Sequence, residues 1–155
     1  MTRYLLATAS VHTTAAAADY LGDRLAADDE VVVLTVAEPD LDGRDAGDAA
    51  NVARSRLLPA TVEVLEREGE HASAQPPRND EVGSADLVAE EIRTVLADRD
   101  ADVLLLGPRR GDPEASGEGG DSTDHEAPGS TVRALLGDVA VPVVVVPVPA
   151  LSGSA

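Results

Sequence analysis

The sequence predicts an α/β protein built on a doubly wound parallel sheet with helices on both faces, and three observations predict it. Short apolar runs alternate along the chain with segments of helical period, the pattern of a parallel sheet whose crossovers are helices. The runs are continuous rather than alternating: Val31-Val32-Val33-Leu34, Val103-Leu104-Leu105-Leu106 and Val143-Val144-Val145-Val146. Strands buried on both faces read this way. Finally, 155 residues, 43% of them hydrophobic, suit one compact domain with an adequate core.

The elements follow in order. Residues 4–9 form a first apolar strand, and Ser10-Val11-His12-Thr13-Thr14 reads as a polar break. Residues 15–27 carry Ala17, Ala18, Leu21 and Leu25 near helical spacing, and 31–36 are a β-branched strand stopped by Pro39. An acidic, glycine-containing loop spans 40–48. Ala53, Leu57, Thr61, Val64 and Leu65 predict a second helix over 51–68, which Pro59 should kink or restart, with Gly69 as its C-cap. Residues 71–75 are expected to be an edge strand closed by Pro76-Pro77. Ser84 is a candidate N-cap for a third helix, with Val88, Ile92 and Val95 on one face. Residues 102–107 make a buried strand, and 112–128 are an acidic insertion expected to be a mobile loop. Residues 130–137 form a short helix with Val132, Leu135 and Leu136 inward, and 143–146 form the last strand. The α/β domain is thus expected over 1–149, with a disordered tail over 150–155. Right-handed crossovers make this order a doubly wound sheet.

Composition narrows the function. The core has no Phe or Trp, and Tyr4 and Tyr20 are its aromatics, so Val, Leu and Ala must fill it. Net charge is −17; 29 carboxylates face 12 arginines, and there is no lysine. Such a field repels nucleic acid and anionic lipid. A lysine-free acidic surface suits a salt-rich cytosol, where the Debye length falls to about 3 Å at 1 M. The other source of this composition is a GC-rich genome, whose codons favour Ala, Gly, Asp and Arg. With no cysteine, disulfides, thiolate nucleophiles and Cys-based metal sites are excluded. No secretory leader is visible, and the longest apolar run, 139–148, is too short for a membrane helix, so a cytoplasmic protein is expected.

One region could carry chemistry. The strand at 103–106 ends in Gly107-Pro108-Arg109-Arg110-Gly111, and Gly129-Ser130-Thr131 opens the next helix. Glycines after a strand let a ligand approach the backbone, and a helix start presents free N–H groups that attract phosphate. Ligands of open α/β sheets bind at the carboxyl ends of strands where the order reverses. Each residue also has a plainer role. Gly107 and Gly111 serve a tight turn, Ser130 caps a helix, and Arg109 and Arg110 face solvent carboxylates. His12 could contact a ligand at this edge or be a surface histidine, and His71 and His125 are dispersed. The acidic insertion lacks the fixed ligand spacing of a calcium loop. No Ser-His-Asp set, Walker motif or carboxylate pair can be assigned, so no catalytic residue is named.

These segments resemble a known family. Asp100-Ala101-Asp102-Val103-Leu104-Leu105-Leu106-Gly107 resembles the fourth strand of the universal stress proteins. Gly129-Ser130-Thr131-Val132-Arg133-Ala134-Leu135-Leu136 resembles their last helix, and Val141-Pro142-Val143-Val144-Val145-Val146-Pro147 their last strand. The sequence match covers the C-terminal third. The resemblance implies a five-stranded parallel sheet of order 3-2-1-4-5 and a homodimer through the last strand, Val143, Val144, Val145 and Val146. In one subclass it implies ATP, with Mg²⁺, on a Gly-x2-Gly-x9-Gly-Ser/Thr motif. Carried onto this chain, the nucleotide-binding residues are Gly107, Arg109, Gly111, Gly129, Ser130 and Thr131. The chain departs from that motif: three residues separate Gly107 from Gly111, and seventeen separate Gly111 from Gly129. Ala9 stands where nucleotide-binding members carry Asp. The alternative is a member without nucleotide binding that acts as a dimeric interaction protein; slow ATP hydrolysis ranks below both.

Overall fold

The structure is a computed structural model and describes residues 1–8, 10–37, 44–68, 84–107 and 130–146. Five strands and four helices alternate: β1 (Arg3–Thr8), α1 (Val11–Gly22), β2 (Glu30–Ala37), α2 (Arg44–Arg56), β3 (Thr61–Glu68), α3 (Ser84–Asp98), β4 (Val103–Leu106), α4 (Ser130–Leu135) and β5 (Val143–Val145). All pairings are parallel, and the order is β3-β2-β1-β4-β5. This is the doubly wound sheet that the sequence pattern predicts, in the strand order that the resemblance implies.

The period of two divides each apolar run between two cores. Leu5, Ala7, Val32, Leu34, Leu104 and Leu106 face α3 and α4. Their partners there are Ala89, Ile92, Val95, Val132 and Leu135. Leu6, Val31, Val33 and Leu105 face α1 and α2, against Ala17, Ala18, Leu21, Ala53 and Leu57. Central β1, with neighbours on both edges and helices on both faces, leaves Leu5 and Leu6 fully buried. Each such leucine contributes about 1.5–3 kcal/mol relative to an exposed one. Alanines at the α1–α2 contact let the two helices approach closely without aromatic bulk.

Five expectations are corrected. The polar break after β1 is the start of α1: Ser10 is the N-cap, and Val11 already lies in the helix. Three hydroxyl-bearing residues, Ser10, Thr13 and Thr14, looked like a loop because the helix's buried residue there, Thr14, is polar. The predicted helix over 51–68 divides in two. Residues up to Arg56 are helical, starting from Arg44 inside the expected acidic loop, and Thr61–Glu68 is β3. Thr61, Val64 and Leu65 fit a helical spacing, yet beyond Pro59 the same stretch also alternates. Val62 and Val64 pack toward α1 and α2, and Leu65 packs toward α3. The unfilled outer edge of β2 decides for the strand, with Glu30 to Ala37 pairing Thr61 to Glu68 throughout. The third strand is therefore 61–68 and not 71–75, which lies outside the described residues together with Gly69 and Pro76-Pro77. The last correction is Leu136, which is exposed (52%) because α4 ends at Leu135. The insertion at 112–128 and the tail at 150–155 also lie outside the described residues. Among the described residues no helix is long and apolar enough to cross a membrane.

Candidate functional site

Strand order reverses between β1 and β4, and the crevice at their carboxyl ends is the natural ligand position in such a sheet. The β1 side is built first. Ser10 stands at φ −157°, ψ 165° and caps α1, its Oγ accepting from the Thr13 N–H at 3.3 Å. Thr13 Oγ1 in turn accepts from the Ser10 N–H at 3.0 Å. This reciprocal pair satisfies two backbone donors that a helix start would otherwise leave free.

Below the cap lies a string of buried hydroxyls. Thr14 Oγ1 is 2.8 Å from the Ser10 carbonyl oxygen and 2.9 Å from Thr8 Oγ1. Thr14 has one hydroxyl proton, and the carbonyl can only accept. The Thr14 hydroxyl is the donor in both contacts and shares its one proton between Ser10 O and Thr8 Oγ1. On the next strand Thr35 is the register partner of Thr8, and its buried Oγ1 has no hydrogen-bond partner.

On the β4 side, the Gly107 N–H donates to the Ala7 carbonyl at 3.2 Å and holds the end of β4 against β1. A Cβ at Gly107 would lie 2.9 Å from the Thr13 Cβ. Glycine is needed here for close packing of β4 on the first turn of α1.

Of the sequence-predicted site residues, Gly107 stands at this carboxyl edge. Ser130 and Thr131 open α4, the crossover from β4 to β5, which begins on the carboxyl side of β4 by topology. Thr131 is half-buried. Arg109, Gly111 and Gly129 lie outside the described residues. α4 is only six residues long, so its end charge is small, and it is held from its far end. There Arg93 of α3 donates to the Ala134 carbonyl at 2.7 Å and to Asp138 at 3.1 Å. His12 is exposed in the first turn of α1. Among the described residues no group of three His, Asp or Glu side chains is placed to hold a metal ion.

Sequence reasoning missed Thr8, Thr14 and Thr35. The available signal was a hydroxyl near the carboxyl end of each of two apolar strands, Ala7-Thr8 and Leu34-Thr35. It also missed the amino edge of the sheet. A cavity of about 340 Å³ opens there, on the side away from the expected site. Its charged lining includes Arg3, which Glu30 holds even more firmly protonated than a free guanidinium, chiefly through a hydrogen bond.

No family model matches this chain, and no curated protein matches it. Solved structures do. A crystal structure of a hypothetical protein, PH0823, superposes with a TM-score of 0.57 at 18% identity, covering 94% of each chain. The universal stress protein from Archaeoglobus fulgidus gives a TM-score of 0.50 at 15% identity, over 95% of this chain and 94% of that one. A universal stress protein family member from Burkholderia pseudomallei gives 0.49 at 16% identity, over 95% and 96%. The likeness is one of fold: a five-stranded parallel α/β architecture shared along nearly the whole chain, and not only over its last third.

Proposed function

We propose that this chain is a regulatory module of the universal stress protein type that binds an adenine nucleotide, ATP with Mg²⁺, at the carboxyl edge of its sheet. The observation that carries the reading is the reversal of strand order between β1 and β4, with Gly107 at the crevice and Ser130-Thr131 opening the following crossover. In this reading Gly107, Gly111 and Gly129 let the phosphates approach the backbone, and Ser130 and Thr131 offer hydroxyl and N–H donors. Arg109 offsets part of the charge of the neighbouring carboxylates. No group of the chain is assigned to hydrolysis, so the bound nucleotide acts as a signal rather than a substrate. The acidic surface suits work in a salt-rich cytoplasm.

Isothermal titration of ATP with Mg²⁺ into the purified protein in molar KCl tests this. Saturable binding that Gly129→Val abolishes supports the reading. Absence of heat from a protein folded by circular dichroism removes it.

A second reading is favoured by two observations. Gly107 has a packing reason that needs no ligand, in its contact with Thr13. Val145 of β5 and Leu136, directly after α4, are also exposed (45% and 52%), and β5 has no outer neighbour among the described residues. In this reading the chain is a homodimeric interaction protein without nucleotide, joined through 143–146. Light scattering of wild type and Val145→Arg distinguishes it: a dimer that the arginine splits supports it, and a monomer under both conditions removes it.

A further inference from the structure

The cavity at the amino edge plays no part in the reading above. Val31 and Val32 of β2 back it, Arg3 and Glu30 line one side, and Thr61 and Glu63 of β3 line the other. Asp98, the last residue of α3, and Arg99 complete it.

Its charges hold one another in place but are not used up. Arg3 donates from Nε to Glu30 at 2.6 Å and from Nη1 to the Arg99 carbonyl at 2.7 Å. A guanidinium has five N–H donors, so both protons on Nη2 remain. Arg99 donates from Nη1 to Glu63 at 2.7 Å, which leaves its Nε and Nη2. Asp98 and Thr61 have no side-chain partner among the described residues. The cavity thus offers spare donors from two cations, spare acceptors from carboxylates, and an apolar backing.

We propose that this cavity binds a small zwitterion, an aliphatic α-amino acid. The ligand carboxylate takes the free N–H groups of Arg3 and Arg99, the fork geometry that guanidinium groups favour. The ligand ammonium lies on Asp98 and Glu63, and the aliphatic side chain packs on Val32, the valine of this pair on the α3 face. Other ligand classes fit less well. A plain anion meets three lining carboxylates and a chain of net charge −17. A metal cation meets two guanidinium groups. A quaternary ammonium group lacks the aromatic ring that would attract it, since none lines the cavity.

The test is an amide chemical-shift titration of the ¹⁵N-labelled protein with L-valine, its decarboxylated analogue isobutylamine and its deaminated analogue isovalerate. L-Alanine and glycine complete the series. Saturable shifts at Val31, Val32, Glu63, Asp98 and Arg99 with L-valine, and none with either analogue, are expected. Asp98→Asn and Arg99→Gln should each weaken binding about tenfold or more, the loss of one charge-assisted contact. Asp98 is exposed and unpaired, so its variant keeps the fold, and circular dichroism checks this. No response to any of the three amino acids overturns the proposal. So does an equal response to isobutylamine, or a response confined to Gly107 and Thr131 at the opposite edge.

Discussion

A single methyl group measures how tightly the carboxyl edge is packed. In Gly107→Ala the new Cβ would stand 2.9 Å from the Thr13 Cβ, close to the helix backbone where little can give. We expect a loss of about 1–3 kcal/mol in urea unfolding. The buried threonines make a sharper pair. Thr35 Oγ1 has no partner, so Thr35→Val removes a desolvated hydroxyl at constant shape and should raise stability by about 1 kcal/mol. Thr8→Val removes the oxygen that accepts the Thr14 hydroxyl and should lower stability by about the same amount. Equal signs for the two variants in the same unfolding assay would show that Thr35 is satisfied in solution. These side chains were hard to foresee. Burial and partnership depend on α1 lying over β1, and a threonine in an apolar run looks the same whether or not it finds a partner.

At the scale of the element, each helix depends on a different device. α1 starts on the Ser10–Thr13 capping box, and Ser10→Ala should cost about 1 kcal/mol, read from the shift of the urea midpoint. α4 is too short to persist alone, since an isolated helix of under three turns is marginal in water. Burial of Val132 and Leu135 holds it, together with the clasp of Arg93 on Ala134 and Asp138. Arg93→Met should keep the apolar stem and lose the clasp. Faster amide exchange over 132–136, with β1 and β2 unchanged, is the expected result. The continuous strands β1, β2 and β4 could be read directly, because a run buried on both faces has no other period to imitate. β3 could not. An edge strand with Glu63, Glu66 and Arg67 toward solvent carries a weak apolar signal, and Ala53, Leu57 and Thr61 continue a helical spacing across Pro59.

At the scale of the molecule, charge governs behaviour. Twenty-nine carboxylates against twelve arginines leave −17, and the ion pairs seen are exposed or half-exposed, such as Arg56–Asp19 and Arg99–Glu63. Exposed pairs contribute little, so they do not offset the general repulsion. The melting temperature should fall as salt is lowered from molar to millimolar KCl, as the Debye length lengthens from about 3 Å toward 30 Å or more. A flat melting temperature over that range would count against salt adaptation.

By itself the sequence determined the fold class, the two-faced burial of β1, β2 and β4, the aliphatic core and the acidic surface. Each is a property of local pattern or of composition, written residue by residue into the chain. The tertiary structure alone decided three things. It placed β3 at 61–68, because β2 needed a partner on its free edge. It gave Gly107 its reason, because Thr13 lies against it from a segment 94 residues earlier. It also made the amino-edge cavity, because Arg3, Glu30 and Glu63 come from three strands and Arg99 from the turn after α3. Contacts between residues distant in sequence leave no period behind, so only the folded chain displays them.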